Sequence, residues 1–373
     1  MKLLVAGLTG QLGTALRELA SATEPAPLRL VALRREGSPR SLPAGEVEAV
    51  VTGDVRRPRW GLDDDALAGP AADADAVVNL AADTNWAGGV RDLFATNALG
   101  AMHGYHVAQE LSRRAGRPVP YVYAGSVYVA GGTVGEIPER LAAPAGDRTA
   151  YERSKWLAER QLVSEAGDAG DPDRPPLLIA RMPALVGDSR TGRTLRRNSL
   201  YLLTDHWTDL PGGVLPVMRD ARVDALPRDL AAAALVRAVR AVVERTPSAP
   251  LICHLGLGET APSLRGLLAA ARTAGGQRGR GEPRLVTVGA RALLWSSLNA
   301  DRFLPLSQSD HNALIGLRYI GLDRVFSRPV LASLLGDDLP AVDVDVLARL
   351  IFGARPQRLD SPVVNGSMAR FPG

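Results

Sequence analysis

Lys2-Leu3-Leu4-Val5-Ala6-Gly7-Leu8-Thr9-Gly10-Gln11-Leu12-Gly13 opens the chain, and its reading sets the fold. Residues 2–6 form a short apolar run of the kind buried in a parallel sheet. An apolar helical pattern follows through about Ala20. Between them the glycines fall at 7, 10 and 13. Gly7 permits a tight turn, Gly10 lets backbone approach a pyrophosphate, and Gly13 lets the helix pack against the sheet. Thr9, Gln11 and Leu12 complete the turn, where a helix N-terminus offers free N–H groups and a positive dipole end to phosphates. A strand before the glycines and a helix after them point to dinucleotide binding.

Working outward, a second strand over Leu28–Leu33 ends in Arg34-Arg35. Arginine at that place suits the 2′-phosphate of NADP, where an acid would take the ribose of NAD. A third strand, Val50–Val55, carries Asp54, which is placed to accept from an adenine amino group. The fourth spans Ala76–Ala82, and its small end, Leu80-Ala81-Ala82, suits close approach of a cofactor to the sheet edge. A helix over Val90–Leu111 carries Asn97, which fits equally a buried amide holding a carbonyl or an exposed polar residue. His103 and His106 on that helix read as surface or partly packed residues, and no ligand spacing accompanies them, so no metal site is expected. Strand five, Pro120–Ala124, runs into Gly125-Ser126. Strand six spans Pro176–Arg181 and leads to Met182-Pro183. Strands alternating with helices predict an α/β fold, a Rossmann-type doubly wound parallel sheet.

Tyr151-Glu152-Arg153-Ser154-Lys155-Trp156 reads as the first turns of a helix. Tyr151 and Lys155 are four apart and share a face. A phenol with an ordinary pKa of about 10 is a weak acid–base group at neutral pH. A neighbouring ammonium is expected to lower that pKa and fit the tyrosine for proton transfer to a carbonyl oxygen. Of 44 basic residues only Lys2 and Lys155 are lysines, so position 155 resists a strong bias toward arginine. Ser126, at a strand end, is placed to donate to a carbonyl beside Tyr151.

With 373 residues, 46% hydrophobic and 23% charged, the chain has the balance of a globular protein with a large core. It exceeds one ordinary domain. A nucleotide-binding domain over 1–189, with 223–260 returning to it, is expected beside a smaller, mostly helical substrate domain built from 190–222 and 261–356. Loops are expected near Gly167–Pro176 and Gly275–Pro283, and a loose tail over 357–373. The net charge of +4 is spread among 40 acids, which argues against nucleic acid. An acidic partner remains compatible: Arg278, Arg280 and Arg284 read as a solvated basic loop or, alternatively, as a docking spot for an acidic carrier protein. Cys253 is alone, which excludes a disulfide framework and a cysteine metal site. No apolar run reaches membrane-spanning length and no leader precedes the first strand, so a cytoplasmic location is expected.

The glycine turn, Asn97, Ser126 and the Tyr151/Lys155 pair together resemble the extended short-chain dehydrogenase/reductase superfamily over roughly residues 1–260. Within it, several stretches are similar to the thioester reductase branch that ends peptide synthetases, polyketide synthases and carboxylic acid reductases. They are Gly53-Asp54 with Pro58-Arg59-Trp60-Gly61-Leu62, Asn79-Leu80-Ala81-Ala82-Asp83-Thr84-Asn85-Trp86, Ser154–Glu159, Gly187–Gly192 and Val223–Asp229. The chain departs from that branch at Gly125-Ser126, where Ser-Thr is usual, and at Arg181-Met182-Pro183, where Arg-Pro-Gly is usual.

The resemblance implies NADP(H) as cofactor, with Ser126, Tyr151 and Lys155 as catalytic residues and Lys155 also holding the nicotinamide ribose. It implies reduction of an acyl thioester, on a carrier protein or coenzyme A, to an aldehyde or alcohol. No carrier domain precedes Met1, so an acidic carrier is expected in trans. The alternatives are a superfamily oxidoreductase or epimerase acting on a nucleotide sugar or a hydroxy/keto compound, and a non-catalytic NADP sensor.

Overall fold

The computed structural model describes residues 1–22, 28–39, 41–84, 89–143, 148–167, 174–195, 198–206, 213–273, 283–299 and 316–353. Asn85-Trp86, most of the loop after Gly167, Arg278 with Arg280, and the 357–373 tail lie outside these residues.

The chain builds an α/β core on a seven-stranded parallel sheet, with a helical region added toward the C-terminus. The strands are β1 Lys2–Ala6, β2 Arg29–Arg34, β3 Ala49–Thr52, β4 Ala76–Asn79, β5 Tyr121–Ser126, β6 Gly135–Ile137, β7 Leu177–Met182, β8 Ala184–Val186, β9 Val214–Val217, β10 Ala225–Pro227, β11 Leu251–His254, β12 Arg284–Thr287 and β13 Arg324–Phe326. The large sheet runs β3-β2-β1-β4-β5-β7-β11, and every pairing in it is parallel. Short parallel pairs β8·β10, β9·β12 and β6·β13 lie outside it. The C-terminal region therefore carries strands as well as helices.

Successive side chains of a strand point to opposite faces, and the two cores follow that rule. Leu3 and Val5 of β1 enter one core and Leu4 and Ala6 the other. Val122 and Ala124 of β5 divide in the same way from Tyr121 and Tyr123. A sheet covered on both faces needs continuous apolar runs, which is why β1, β5 and β7 are buried throughout.

The helices follow in chain order as α1 Gln11–Ala22, α2 Asp64–Ala68, α3 Val90–Phe94, α4 Gly100–Ala115, α5 Ala150–Ala166, α6 Ser199–His206, α7 Arg228–Arg245, α8 Leu264–Thr273, α9 Ala290–Asn299, α10 Pro329–Leu335 and α11 Val344–Phe352. The helix expected over 90–111 is broken at Ala95–Leu99 by a π-helical turn. β4 stops at Asn79, short of the expected Ala82, because the Asn79 side-chain oxygen accepts from the Ala81 N–H at 3.0 Å and turns the chain out of the ladder. Strands two, five and six sit one or two residues later than expected, so Ser126 is the last residue of β5. Among the described residues no helix is long and apolar enough to cross a membrane.

Candidate active site

The glycine turn is shaped by close backbone contact. Gly7 has φ +92°, and a Cβ there would lie 2.6 Å from the Ala81 nitrogen and the Leu80 carbonyl carbon. At Gly13 a Cβ would lie 2.3 Å from the Gly7 oxygen and 2.5 Å from Leu8 Cα. The turn thus sits directly against the end of β4, and α1 directly against the turn. Gly10 closes it through an N–H bond to the Gly7 oxygen at 3.0 Å. Thr9 and Gly10 are half-buried at the mouth and Leu12 is buried in the core. Gln11 reaches sideways, donating to the Leu185 and Val186 oxygens at 3.1 Å each, which ties α1 to β8.

Arg34 ends β2 half-buried, donating to the Ser38 oxygen at 3.1 Å, while its Nε is buried without a hydrogen-bond partner among the described residues. Arg35 beside it is exposed. The Asp54 carboxylate accepts from the Arg56 guanidinium at 2.8 Å and from the Arg56 N–H at 3.0 Å. Those bonds hold it below the ordinary carboxylate range. Val55 gives its oxygen to His103 Nδ1 at 3.0 Å.

Asn97 is fully buried in the π turn. Its Oδ1 accepts from the Asp83 N–H at 2.8 Å, and its Nδ2 donates to the Asp83 oxygen and to Ser154 Oγ at 2.9 Å each. The amide therefore pins the segment after Leu80, Ala81 and Ala82 to α5.

Thr149 starts α5 with a capping box: its Oγ1 accepts from the Glu152 N–H at 3.2 Å, and Glu152 Oε2 accepts from the Thr149 N–H at 2.7 Å. The cap fixes Tyr151 in the first turn. There its hydroxyl forms a hydrogen bond with the Ser126 side chain, so the fold brings together two groups 25 residues apart in sequence. Both are buried. Lys155 lies one turn on, also buried, and donates from Nζ to the Ala124 oxygen at 2.9 Å, with the Tyr123 ring 4.6 Å away.

The expected lowering of the tyrosine pKa is reversed. Burial pushes the Tyr151 phenol up to about 12; the Ser126 hydrogen bond opposes this and the Glu152 charge adds to it. Lys155 is directed at Ala124, and its own burial pulls it down to about 7 against the attraction of Glu159. Desolvation disfavours both charged forms, which keeps the Tyr151 phenol neutral.

Met182 ends β7 and Pro183 follows it, both buried. The preceding Arg181 forms a buried ion pair that the sequence did not announce. Its guanidinium donates to Glu159 at 2.8 Å and to His254 Nε2 at 3.1 Å. His254 Nδ1 faces the Ser327 oxygen at 2.8 Å, which places the ring proton on Nδ1 and leaves Nε2 as acceptor. Burial, with Arg181 alongside, pulls the His254 pKa down to about 3, against the bond to Ser327. Glu159 repeats the helical spacing of Lys155, a signal that was legible; its partner was not.

Glycines that admit backbone, a partnerless Arg34 nitrogen and the open end of α1 fit a phosphorylated dinucleotide. The fold and this site define an NAD(P)-binding oxidoreductase of the extended short-chain dehydrogenase/reductase type. Residues 46–235, just over half of the chain, match the model of the NAD-binding family described as "Male sterility protein", and the chain belongs to that family.

Over 207 residues it is 29% identical to an isonitrile lipopeptide synthase of Streptomyces coeruleorubidus, a match spanning 55% of this chain and 13% of that much longer protein. Among solved structures, the terminal R domain of the myxalamid PKS-NRPS pathway superposes with a TM-score of 0.67 at 21% identity, covering 94% of this chain and 89% of that one. A UDP-galactose 4-epimerase superposes with a TM-score of 0.60 at 18% identity, covering 95% and 98%.

Proposed function

We propose that the protein uses NADPH to reduce an acyl thioester, delivered on coenzyme A or by an acidic carrier protein, to an aldehyde. When bound, the cofactor supplies hydride at the carbonyl carbon. Ser126 and Tyr151 bind the carbonyl oxygen, stabilise the charge that develops there, and Tyr151 supplies the proton from its hydroxyl. Loss of the thiol from the resulting hemithioacetal gives the aldehyde, and a second round gives the alcohol. Arg34 supports NADPH over NADH.

One observation carries the branch reading. The stretches similar to thioester reductases are scattered in sequence but fall into two groups whose members meet in space. Trp60 Nε1 and Asn79 Nδ2 both donate to the Gly100 oxygen, at 3.0 and 3.3 Å. Asp83 and Ser154 meet through Asn97. Ser189 N–H and Oγ donate to the Asp229 carboxylate at 2.8 and 2.5 Å, and Arg228 faces Asp188 at 3.6 Å. Contacts of this kind support inheritance of the stretches as a set.

A second reading, an oxidoreductase or epimerase of a nucleotide sugar or hydroxy/keto compound, is favoured by the whole-length likeness to UDP-galactose 4-epimerase. Two readouts separate them: NADPH consumption with aldehyde trapping for octanoyl-coenzyme A, carrier-bound octanoate and simple ketones, and interconversion of UDP-galactose and UDP-glucose, which consumes no net NADPH. Turnover of the octanoyl thioesters is expected to be fastest. Turnover of a nucleotide sugar or ketone with inert thioesters establishes the second reading. Tyr151→Phe is expected to lose turnover by about 10²–10⁴-fold with NADPH binding intact.

A further inference from the structure

The chemistry above uses Tyr151 and leaves the carboxylate beside it without a task. Glu152 is 1% exposed. A capping box asks only that its carboxylate meet the Thr149 N–H, which an exposed glutamate does equally well. Burial at this depth needs further partners, and they come from far along the chain. Tyr319 donates its hydroxyl to Glu152 Oε1 at 2.9 Å, and an Arg318 nitrogen lies 3.5 Å from Oε2, 167 and 166 residues downstream.

From Tyr319 the path returns to the site. Its ring packs on Tyr128 with centroids 3.9 Å apart, and the Tyr128 N–H donates to Ser126 Oγ at 3.2 Å. Ser126 hydrogen-bonds Tyr151, whose neighbour is Glu152, and the circuit closes. Arg324 braces it from outside. That side chain donates to the Gly131 and Arg318 oxygens at 2.9 and 3.1 Å, with its guanidinium 5.7 Å over the Tyr128 ring.

We propose that Glu152 and Tyr319 are positioning residues for the reaction, setting the geometry and charge environment of the Ser126–Tyr151 pair from the C-terminal region. The inference rests on the reading that Ser126 and Tyr151 carry the chemistry. Tyr151 is faced by Ser126 and Tyr123 from β5, by Tyr128 from the turn after it, and by Glu152 beside it on α5, with Lys155 one turn on and directed at Ala124. Glu152 is faced in turn by Arg318, Tyr319 and Arg324. The Glu152 charge favours the protonated phenol. A phenol that donates a proton works while protonated, so kcat falls as pH rises through its pKa. Removing the neighbouring negative charge lowers that pKa and brings the fall to lower pH.

The test compares Glu152→Gln, Tyr319→Phe and Tyr151→Phe in the whole protein. It uses whichever probe of the panel turns over, with NADPH affinity and thermal melting measured beside kcat and KM. Tyr319→Phe keeps the ring on Tyr128 and removes the hydrogen bond to Glu152, and the melting measurement checks that it folds. Expected is a loss of about tenfold in kcat for Tyr319→Phe, with KM and NADPH affinity within about twofold. Glu152→Gln is expected to move the alkaline fall of kcat about one unit lower. Wild-type kcat and an unmoved alkaline fall in both variants overturn the proposal. So does a loss of kcat that only tracks lost melting temperature and cofactor affinity. Normal turnover in Tyr151→Phe instead overturns the reading of the site itself, a different result from the other two.

Discussion

The glycine turn and a clasp of buried arginines bring distant backbone together by opposite means. At the turn, side chains are removed: Gly13 allows Leu8 and Gly7 within a distance no Cβ tolerates. At the clasp, long planar donors are sent in. Arg181 reaches the Arg140 oxygen at 2.8 Å, Arg324 the Gly131 oxygen at 2.9 Å, and Arg328 the Gly256 and Pro340 oxygens at 2.8 and 3.2 Å. Guanidinium suits this work because its five donors are fixed in a plane and it stays charged when buried. The first device fails when an atom is added, the second when a donor is lost. The two regions should therefore differ in which mutations they tolerate.

The sharpest test removes a donor. Arg181→Met leaves the fully buried Glu159 carboxylate without its cation and is expected to cost about 3–5 kcal/mol in urea unfolding. Adding Glu159→Gln to it should recover much of that loss, because the penalty belongs to the stranded charge. A double variant no better than the single one would mean that packing, not charge, holds this part of the clasp.

On the other side, Gly13→Ala adds one methyl group against backbone that has nowhere to go. The expected cost is about 1–3 kcal/mol, with weakened NADPH binding. Arg34→Ala with Arg35→Ala tests whether the cofactor half also relies on arginine. Loss of a charge-assisted phosphate contact should remove about 1.5–3 kcal/mol of NADPH affinity and leave NADH affinity unchanged. Equal wild-type affinity for the two cofactors would show that these arginines serve only the β2 turn.

The smallest effect is a pH dependence confined to the clasp. The folded His254 ring holds its proton with a pKa of about 3, whereas an unfolded histidine titrates at about 6.5. Between those values the unfolded chain binds the extra proton, so stability falls as pH falls through that window. The slope reaches about 1.4 kcal/mol per pH unit at most. His254→Gln should flatten the slope of the urea midpoint between pH 6.5 and 5; an unchanged slope would assign it to other groups.

Sequence made the cofactor half legible because its signals are local. A five-residue apolar run, glycines at fixed offsets and a serine at a strand end each need only their neighbours to be understood. Element ends slipped where a side chain intervened, as Asn79 does in stopping β4. The Tyr151–Lys155 spacing was equally plain, but the direction of the tyrosine pKa was not. That direction depends on burial and on where the Lys155 ammonium points, which helical spacing does not specify. Asn97 stood open between buried and exposed because a mid-helix amide looks alike in both, and the π turn that buries it has no signature in its residues. The clasp was hidden for a plainer reason. With 42 arginines in the chain, nothing local separates Arg181, Arg318 or Arg324 from the exposed ones.

The parallel pairing of β6 with β13 joins residues 135–137 to 324–326. It lies beside the turn that carries Ser126, which Tyr319 and Arg324 complete. During synthesis the sheet strands through β7 can assemble while this partner is still untranslated. The turn carrying Ser126 must then wait, with Glu152 and the Tyr128 ring uncovered, until the ribosome has released residue 326.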